Sequence, residues 1–257
     1  MTTTLNFATA PGHQVLAAAG KKILRPGGKA ATEQLFTWAN FQPGDTVLEL
    51  AASFGESAID IAKRFNVKVI GIEKNPDSVV KARENINAAG LDDLVTIIEG
   101  DIFQLDKIAA KFDYVLAEAI LTMQSEAGKA KVLSAIKNCL KPEGKFLSHE
   151  MLVRSHESEV RQSLSQTIRV NAHPLTISEW QLACSEAGMT LQESQVGKMG
   201  LLNLDQIVRD EGLLGTAKIA WNVLTNTNLR LRVLQMRRNF QHQRDRIGYI
   251  VLWAKIT

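Results

Sequence analysis

The chain has 257 residues, 45% hydrophobic and 22% charged, with 30 Lys and Arg against 27 Asp and Glu and a formal net charge of +3. That length buries one substantial core, and the charge is too balanced to require a polyanionic partner such as nucleic acid. Cys139 and Cys184 stand far apart without a CxxC pair or a Cys/His cluster. This argues against a disulfide framework and against a zinc or other metal site, and for a reducing cytoplasm.

Met1 to Leu24 lacks a basic start followed by a long apolar run, and no later stretch approaches the ~20 apolar residues that span a bilayer. Neither secretion nor stable membrane insertion is expected. The leader up to residue 40 carries Ala10-Pro11-Gly12-His13 and then Gly20-Lys21-Lys22-Ile23-Leu24-Arg25-Pro26-Gly27-Gly28, a mixture of turn formers and basic residues. It is expected to be a helical leader to the domain that follows.

Regular alternation begins near Thr46. Thr46 to Leu50 is apolar and β-prone, Ser57 to Phe65 has helical spacing, and Val67 to Ile72 is strand-like again, which makes one βαβ unit. Asn75-Pro76-Asp77 opens a helix with proline at its first position, Val79, Val80 and Ile86 share a face, and Gly90 stops it. A strand at Val95 to Ile98 follows, then a short helix around Leu105 to Ala110 and a strand at Tyr114 to Leu116. A helix from about Glu126 to Leu140 is stopped by Pro142 and Gly144, and Lys145 to His149 is the fifth strand.

Thr176-Ile177-Ser178-Glu179 is a capping-box signature for a helix through Trp180 to Ala187, with Gly188 as its stop. A strand from Thr190 to about Val196 comes next and the last strand is Ile247 to Ile256. Between them, at about 202–245, lies a predicted helical insertion in which Leu229, Val233, Met236 and Phe240 share one face, flanked by Arg230, Arg237 and Arg238. That helix is expected to cover part of the sheet or the site. The whole reads as an α/β protein: one domain over 1–257, with a leader (1–40), a ligand-binding core (41–151) and a C-terminal part (152–257). Its Rossmann-like, doubly wound, mostly parallel sheet of seven strands has helices on both faces, and ligands bind beyond the carboxyl ends of the strands.

A nucleotide-like ligand at the first strand needs small residues in the turn and a carboxylate at the end of the second strand. The turn reads Glu49-Leu50-Ala51-Ala52-Ser53-Phe54-Gly55, and Glu73 ends Val69-Ile70-Gly71-Ile72-Glu73, about 20 residues on, as such sites require. A dinucleotide-type G-x-G-x-x-G is not found. With this turn, Gly100-Asp101-Ile102 after the third strand and Leu140-Lys141-Pro142-Glu143-Gly144-Lys145 before the fifth, the chain resembles the class I S-adenosylmethionine-dependent methyltransferases, of the small-molecule type that includes the quinone and sterol enzymes.

The resemblance implies S-adenosylmethionine as cofactor and S-adenosylhomocysteine as product. It implies a cofactor site made from Glu49, near the methionine amino group; Ala51, Ser53 and Gly55 in the turn; Glu73 on the ribose hydroxyls, with Lys74 beside it; Asp101 and Ile102 at adenine; and Glu118. Ala51 and Ser53 stand where the family usually has glycine, so a modest remodelling of the turn to negative φ is expected, with the Ser53 hydroxyl free to reach the cofactor's carboxylate.

For the acceptor the candidates lie at the ends of the fourth and fifth strands: Glu118 and His149 as catalytic groups, with Thr122 and Glu150 close by in sequence. Each has a bland alternative, a loop acid or a hydrogen-bonded strand-end histidine. In the resembled family such leaders often fold over the acceptor pocket, so Lys21, Lys22 and Arg25 either bind an acidic group there or form an exposed basic turn. Arg237 to Arg246 is read as a solvated helix face. The expected partner is a small-molecule acceptor and not nucleic acid, with the chain a monomer or homodimer. An RNA or protein methyltransferase, or a non-catalytic binding protein on this scaffold, remains the alternative.

Overall fold

The computed structural model describes residues 5–257. Its core alternates strand and helix: β1 (Thr46–Leu50), α3 (Glu56–Phe65), β2 (Lys68–Glu73), α4 (Pro76–Ala88), β3 (Val95–Glu99), β4 (Phe112–Glu118), α5 (Glu126–Cys139) and β5 (Leu140–Val153). Two leader helices, α1 (Gly12–Ala18) and α2 (Gly28–Ala39), come first. After the core come α6 (Glu157–Ile168), α7 (Ile177–Glu186), β6 (Met189–Lys198), α8 (Leu204–Thr225), α9 (Thr227–His242) and β7 (Ile247–Ile256). The 7-stranded sheet has the order β3-β2-β1-β4-β5-β7-β6. β1 to β5 pair in parallel, and β7 runs antiparallel between β5 and β6.

Period-two alternation decides which side chains meet. Leu48 and Leu50 of β1, with Val115 and Ala117 of β4, join the layer of α5 and α7 around Trp180. Val47, Tyr114, Leu116 and Leu147 join the opposite layer, under Leu35 of α2 and Ile61 of α3. Glu49, Glu118 and His149 keep step with this second set, so one face receives all three, near the carboxyl ends of three adjacent strands. A third cluster sits beyond the end of the sheet, where Val15 and Leu16 of α1, Leu164 of α6 and Met236 of α9 pack on Met151 and Val153.

Several helix ends follow the sequence signals. Asn75 caps α4 by accepting from the Ser78 amide at 3.0 Å, and Thr176 and Glu179 close the capping box of α7. Three elements differ from expectation, the first being β5, which runs from Leu140 to Val153 and not only Lys145 to His149. The short helix predicted around Leu105 to Ala110 is a 3-10 segment at Ile102–Lys107, because the Asp101 carboxylate accepts from the Phe103 amide at 3.0 Å and starts the turn earlier. α6 gives no sequence signal: it is entered through His156 at φ 55 with no side-chain cap. α9 packs on α1, α6 and α8, away from the central strands.

Candidate active site

The β1–α3 turn keeps the backbone that glycine would adopt. Ala51 has φ 54, Ser53 φ 50 and Gly55 φ 77, so the expected remodelling to negative φ does not occur. Left-handed conformation costs a residue with a Cβ roughly 1–2 kcal/mol, and two features hold the turn there. The Ala52 amide donates to the Ile72 carbonyl at 2.9 Å and the Gly55 amide to the Ala52 carbonyl at 2.8 Å. Glu73, at the end of β2, accepts from the Ser53 amide at 2.8 Å and, through its other oxygen, from the Asn75 amide at 2.8 Å. The carboxylate picked out for ribose thus also fixes the turn that must lie beside it.

One strand further along the sheet, Asp101 accepts from Lys74 Nζ at 2.8 Å, and this ion pair together with the Phe103 amide holds its carboxyl below the ordinary range. Ile102, next to it, is buried with the α5 layer. Glu73, Lys74, Asp101 and the turn therefore line the carboxyl ends of β1 to β3 in the order that the resemblance implies.

A second cluster sits at the ends of β1, β4 and β5. Glu118 is buried, with Thr32 Oγ1 donating to its Oε1 at 2.6 Å, Ser57 Oγ to its Oε2 at 2.9 Å and Arg25 Nε lying 3.1 Å from Oε2. Burial alone would raise its pKa, but the Arg25 charge and these hydrogen bonds hold it at about 2. The neighbouring Glu49 goes the other way: burial first and the Glu118 charge second push it up to about 8, with Arg25 opposing. Its Oε2 is buried and meets no partner. Such an atom calls for a cationic or hydrogen-bond-donating ligand.

His149 is fully buried. The Gly27 amide donates to its Nε2 at 3.0 Å, which puts the ring proton on Nδ1, facing Thr32 Oγ1 at 3.3 Å and Glu118 Oε1 at 3.6 Å. Burial lowers its pKa. Both nitrogens of His149 face partners inside the protein, while Glu118 accepts from Thr32 and Ser57 and still lines the cavity beside Glu49. Thr122 and Glu150 are locked together: Thr122 Oγ1 donates to Glu150 Oε2 at 2.6 Å, and the Ile120 and Leu121 amides donate to Oε1.

The basic leader residues are neither an exposed turn nor free cations. Lys21 is buried 3.8 Å from Asp210 and 3.4 Å from Glu211 of α8, and the Lys22 and Ile23 amides both donate to Glu211 at 3.0 Å. Arg25 bridges Glu118, Thr32 and Ser57. Of Lys21, Lys22 and Arg25, Lys22 has the exposed side chain, beside Glu56. The leader is thus clamped over the strand ends.

Under it lie two adjoining cavities. One, of about 90 Å³, is lined by Glu49, Ala51 to Phe54, Ser57 and Glu118 together with Leu24 and Ala119. The other, of about 60 Å³, shares Leu24 and Ala119 and is walled by apolar side chains such as Leu16, Met123, Met151 and Met236. His13 is the one titratable group on its wall; burial lowers its pKa while the charge of Glu73 opposes. In the sequence His13 stands within a turn-rich run, Ala10-Pro11-Gly12-His13. Its place depends on α1 folding back over the site, which no local pattern announces.

Parallel strands ending in a left-handed turn, a ribose-type carboxylate and a buried acid without a partner define a nucleotide-cofactor enzyme of the doubly wound class. The signature of the methyltransferase domain family matches residues 41–206. The chain belongs to that family, and the identification as an S-adenosylmethionine-dependent methyltransferase stands. It is 33% identical over 245 residues to an uncharacterized protein of Haemophilus influenzae, covering 95% of this chain and 97% of that one. A sterol 24-C-methyltransferase of Eremothecium gossypii is 31% identical over 122 residues, 47% of this chain but only 32% of that enzyme. In fold, the chain is similar to an S-adenosylmethionine-dependent methyltransferase of Geobacter sulfurreducens solved with S-adenosylhomocysteine, with TM-score 0.71, 17% identity, and coverage of 95% and 98% of the two chains.

Proposed function

We propose that this chain transfers the methyl group of S-adenosylmethionine to an apolar small-molecule acceptor. The observation that carries the reading is the apolar cavity against the Glu49 cavity, the two sharing Leu24 and Ala119. The cofactor supplies an electrophilic methyl on a sulfonium, which departs as a thioether in an in-line displacement. The protein's part is alignment and exclusion of water.

Glu49, with its unpartnered oxygen, receives the methionine amino group, and Glu73 takes the ribose hydroxyls while its backbone partners keep the turn in place. Asp101, Lys74 and Ile102 border the adenine end. Arg25 and His149 are positioning residues that hold Glu118 as a fixed charge against the cofactor's cationic end. His13, whose pKa burial lowers, is the group that would accept a proton from an acidic carbon or a hydroxyl of the acceptor. A non-catalytic role rested on the missing turn glycines, yet Ala51 and Ser53 hold the glycine conformation. Two buried, unpaired cysteines favour a reducing compartment such as the cytoplasm.

The test is incubation with methyl-labelled cofactor and separate apolar and polar extracts, RNA and protein. Label in the organic-extractable fraction supports the reading; label only in RNA, protein or water-soluble metabolites overturns it.

A further inference from the structure

α8 is broken at Gly212 (φ 72, ψ 176), and its outer half carries apolar side chains on both sides. Ile219 and Val223 turn inward to the third core cluster. Leu214, Ala217, Trp221 and Leu224, spaced by helical intervals on the other side, face water, with Leu214 at 89%, Trp221 at 69% and Leu224 at 65% exposure. A helix apolar all round needs a second apolar environment. α9, joined to α8 through Asn226, buries Leu229, Met236 and Phe240 and leaves Leu231 and Leu234 outward beside Arg238.

Charge tells what that environment is. From Gly212 to Arg244 the sequence holds no Asp or Glu, while Lys218, Arg237, Arg238 and Arg244 are exposed and Arg230 is partly so. In a chain of net charge +3 this is a local field of one sign, and a two-fold copy of the chain on the same face would set these cations against one another. A nucleic acid would leave the leucines in water. Asp245, next in the chain, pairs with Arg244 at 3.5 Å, which leaves Lys218, Arg237 and Arg238 as the exposed cations; with apolar side chains and one tryptophan they are what an anionic lipid surface accepts.

We propose that the α8–α9 hairpin lies on anionic lipid bilayers, with Leu214, Trp221, Leu224 and Leu231 at head-group depth and the Lys and Arg side chains at the phosphates. No helix of the described residues is long and apolar enough to cross a membrane, so the association is peripheral. A groove of about 690 Å³ lined by Lys198, Arg237, Arg244 and Asp245 shares Met199, Leu201 and Phe240 with the apolar cavity, so the hairpin borders both. The inference stands on the surface alone and does not depend on methyl transfer.

Flotation of the full-length protein with vesicles of phosphatidylcholine, and of phosphatidylcholine mixed with phosphatidylglycerol, tests it. Leu214→Glu and Trp221→Glu serve as variants, since neither side chain lines the cofactor or acceptor cavity; thermal melting and cofactor titration report that each remains folded. Binding is expected with phosphatidylglycerol only, weakened ~10-fold or more by either variant and by raised salt. Absence of flotation, equal flotation with neutral vesicles, or a dimer that Leu214→Glu dissociates overturns the proposal.

Discussion

Glu49 and Glu118 share one cavity and have opposite proton affinities, Glu49 raised to about 8 and Glu118 lowered to about 2. The difference follows from partners: Glu118 has Arg25, Thr32 and Ser57, while one oxygen of Glu49 has none. On the proposed binding mode, Glu49 of the cofactor-free protein carries a proton below pH 8 that the cofactor's amino group must displace. Cofactor affinity should therefore fall as pH drops below 8, by up to ~10-fold per pH unit, with proton release seen as a buffer-dependent heat in titration calorimetry. Glu49→Gln should bind more weakly at pH 8 and lose the dependence. A flat affinity between pH 6 and 8 in the wild type would refute the assignment.

Removing Glu118 tests the other half of the pair. Glu118→Gln leaves the Arg25 charge buried without its partner, a change that typically costs about 3–5 kcal/mol, so a marked drop in melting temperature is expected. The pH sign is fixed by the lowered pKa. Stability from Glu118 is fully present above the ordinary carboxylate value and is lost as pH falls towards 2. Chemical melts of wild type and variant should converge on acidification; a constant gap would show that the pair is not the source.

The turn after β1 makes an unusual forecast, since Ala51→Gly and Ser53→Gly ought to stabilise. Each relieves a left-handed residue, at most roughly 1–2 kcal/mol, set against the larger entropy glycine loses on folding. The net gain should raise the melting temperature by about 2–4 °C per kcal/mol. A loss of stability in both variants would mean that the turn does not hold the conformation described.

His13→Gln separates proton transfer from cofactor binding. The side chain lines the apolar cavity and not the Glu49 cavity. For an acceptor that must lose a proton, kcat should fall by ~10²-fold or more while calorimetric affinity for S-adenosylhomocysteine changes little. An unaltered kcat would remove His13 from the chemistry, leaving it as packing.

The strand ends on which the proposed cofactor residues lie were legible in the sequence because their parts are local. A strand, a turn of small residues and a carboxylate on the next strand are set by short-range pattern, and Glu73, Asp101 and the turn lie in that order in space. What pattern could not supply was partnership across the chain. Lys21 reads as a surface lysine, and only folding brings it to Asp210 and Glu211. A hydrogen-bonded strand-end histidine is one reading of His149 in the sequence, but its partners, the Gly27 amide and Thr32, come from the leader and are not named by local pattern. The turn's φ angles were misread for a related reason: the constraint on Ser53 is the Glu73 carboxylate on another strand, which overrides local preference.

The clamp between the leader and α8 also changes what the insertion is. Asp210 and Glu211 are the counter-charges of Lys21, and Asp210 also takes the Lys29 amide at 2.9 Å. The two α8 acids thus anchor both ends of the segment that carries Arg25 and Gly27 to Glu118 and His149. A homologous chain trimmed of its α8–α9 hairpin would not be the same catalyst with a wider mouth. It would lose the roof over its strand ends as well, so any descent that shortens the hairpin must rewrite the leader in the same step.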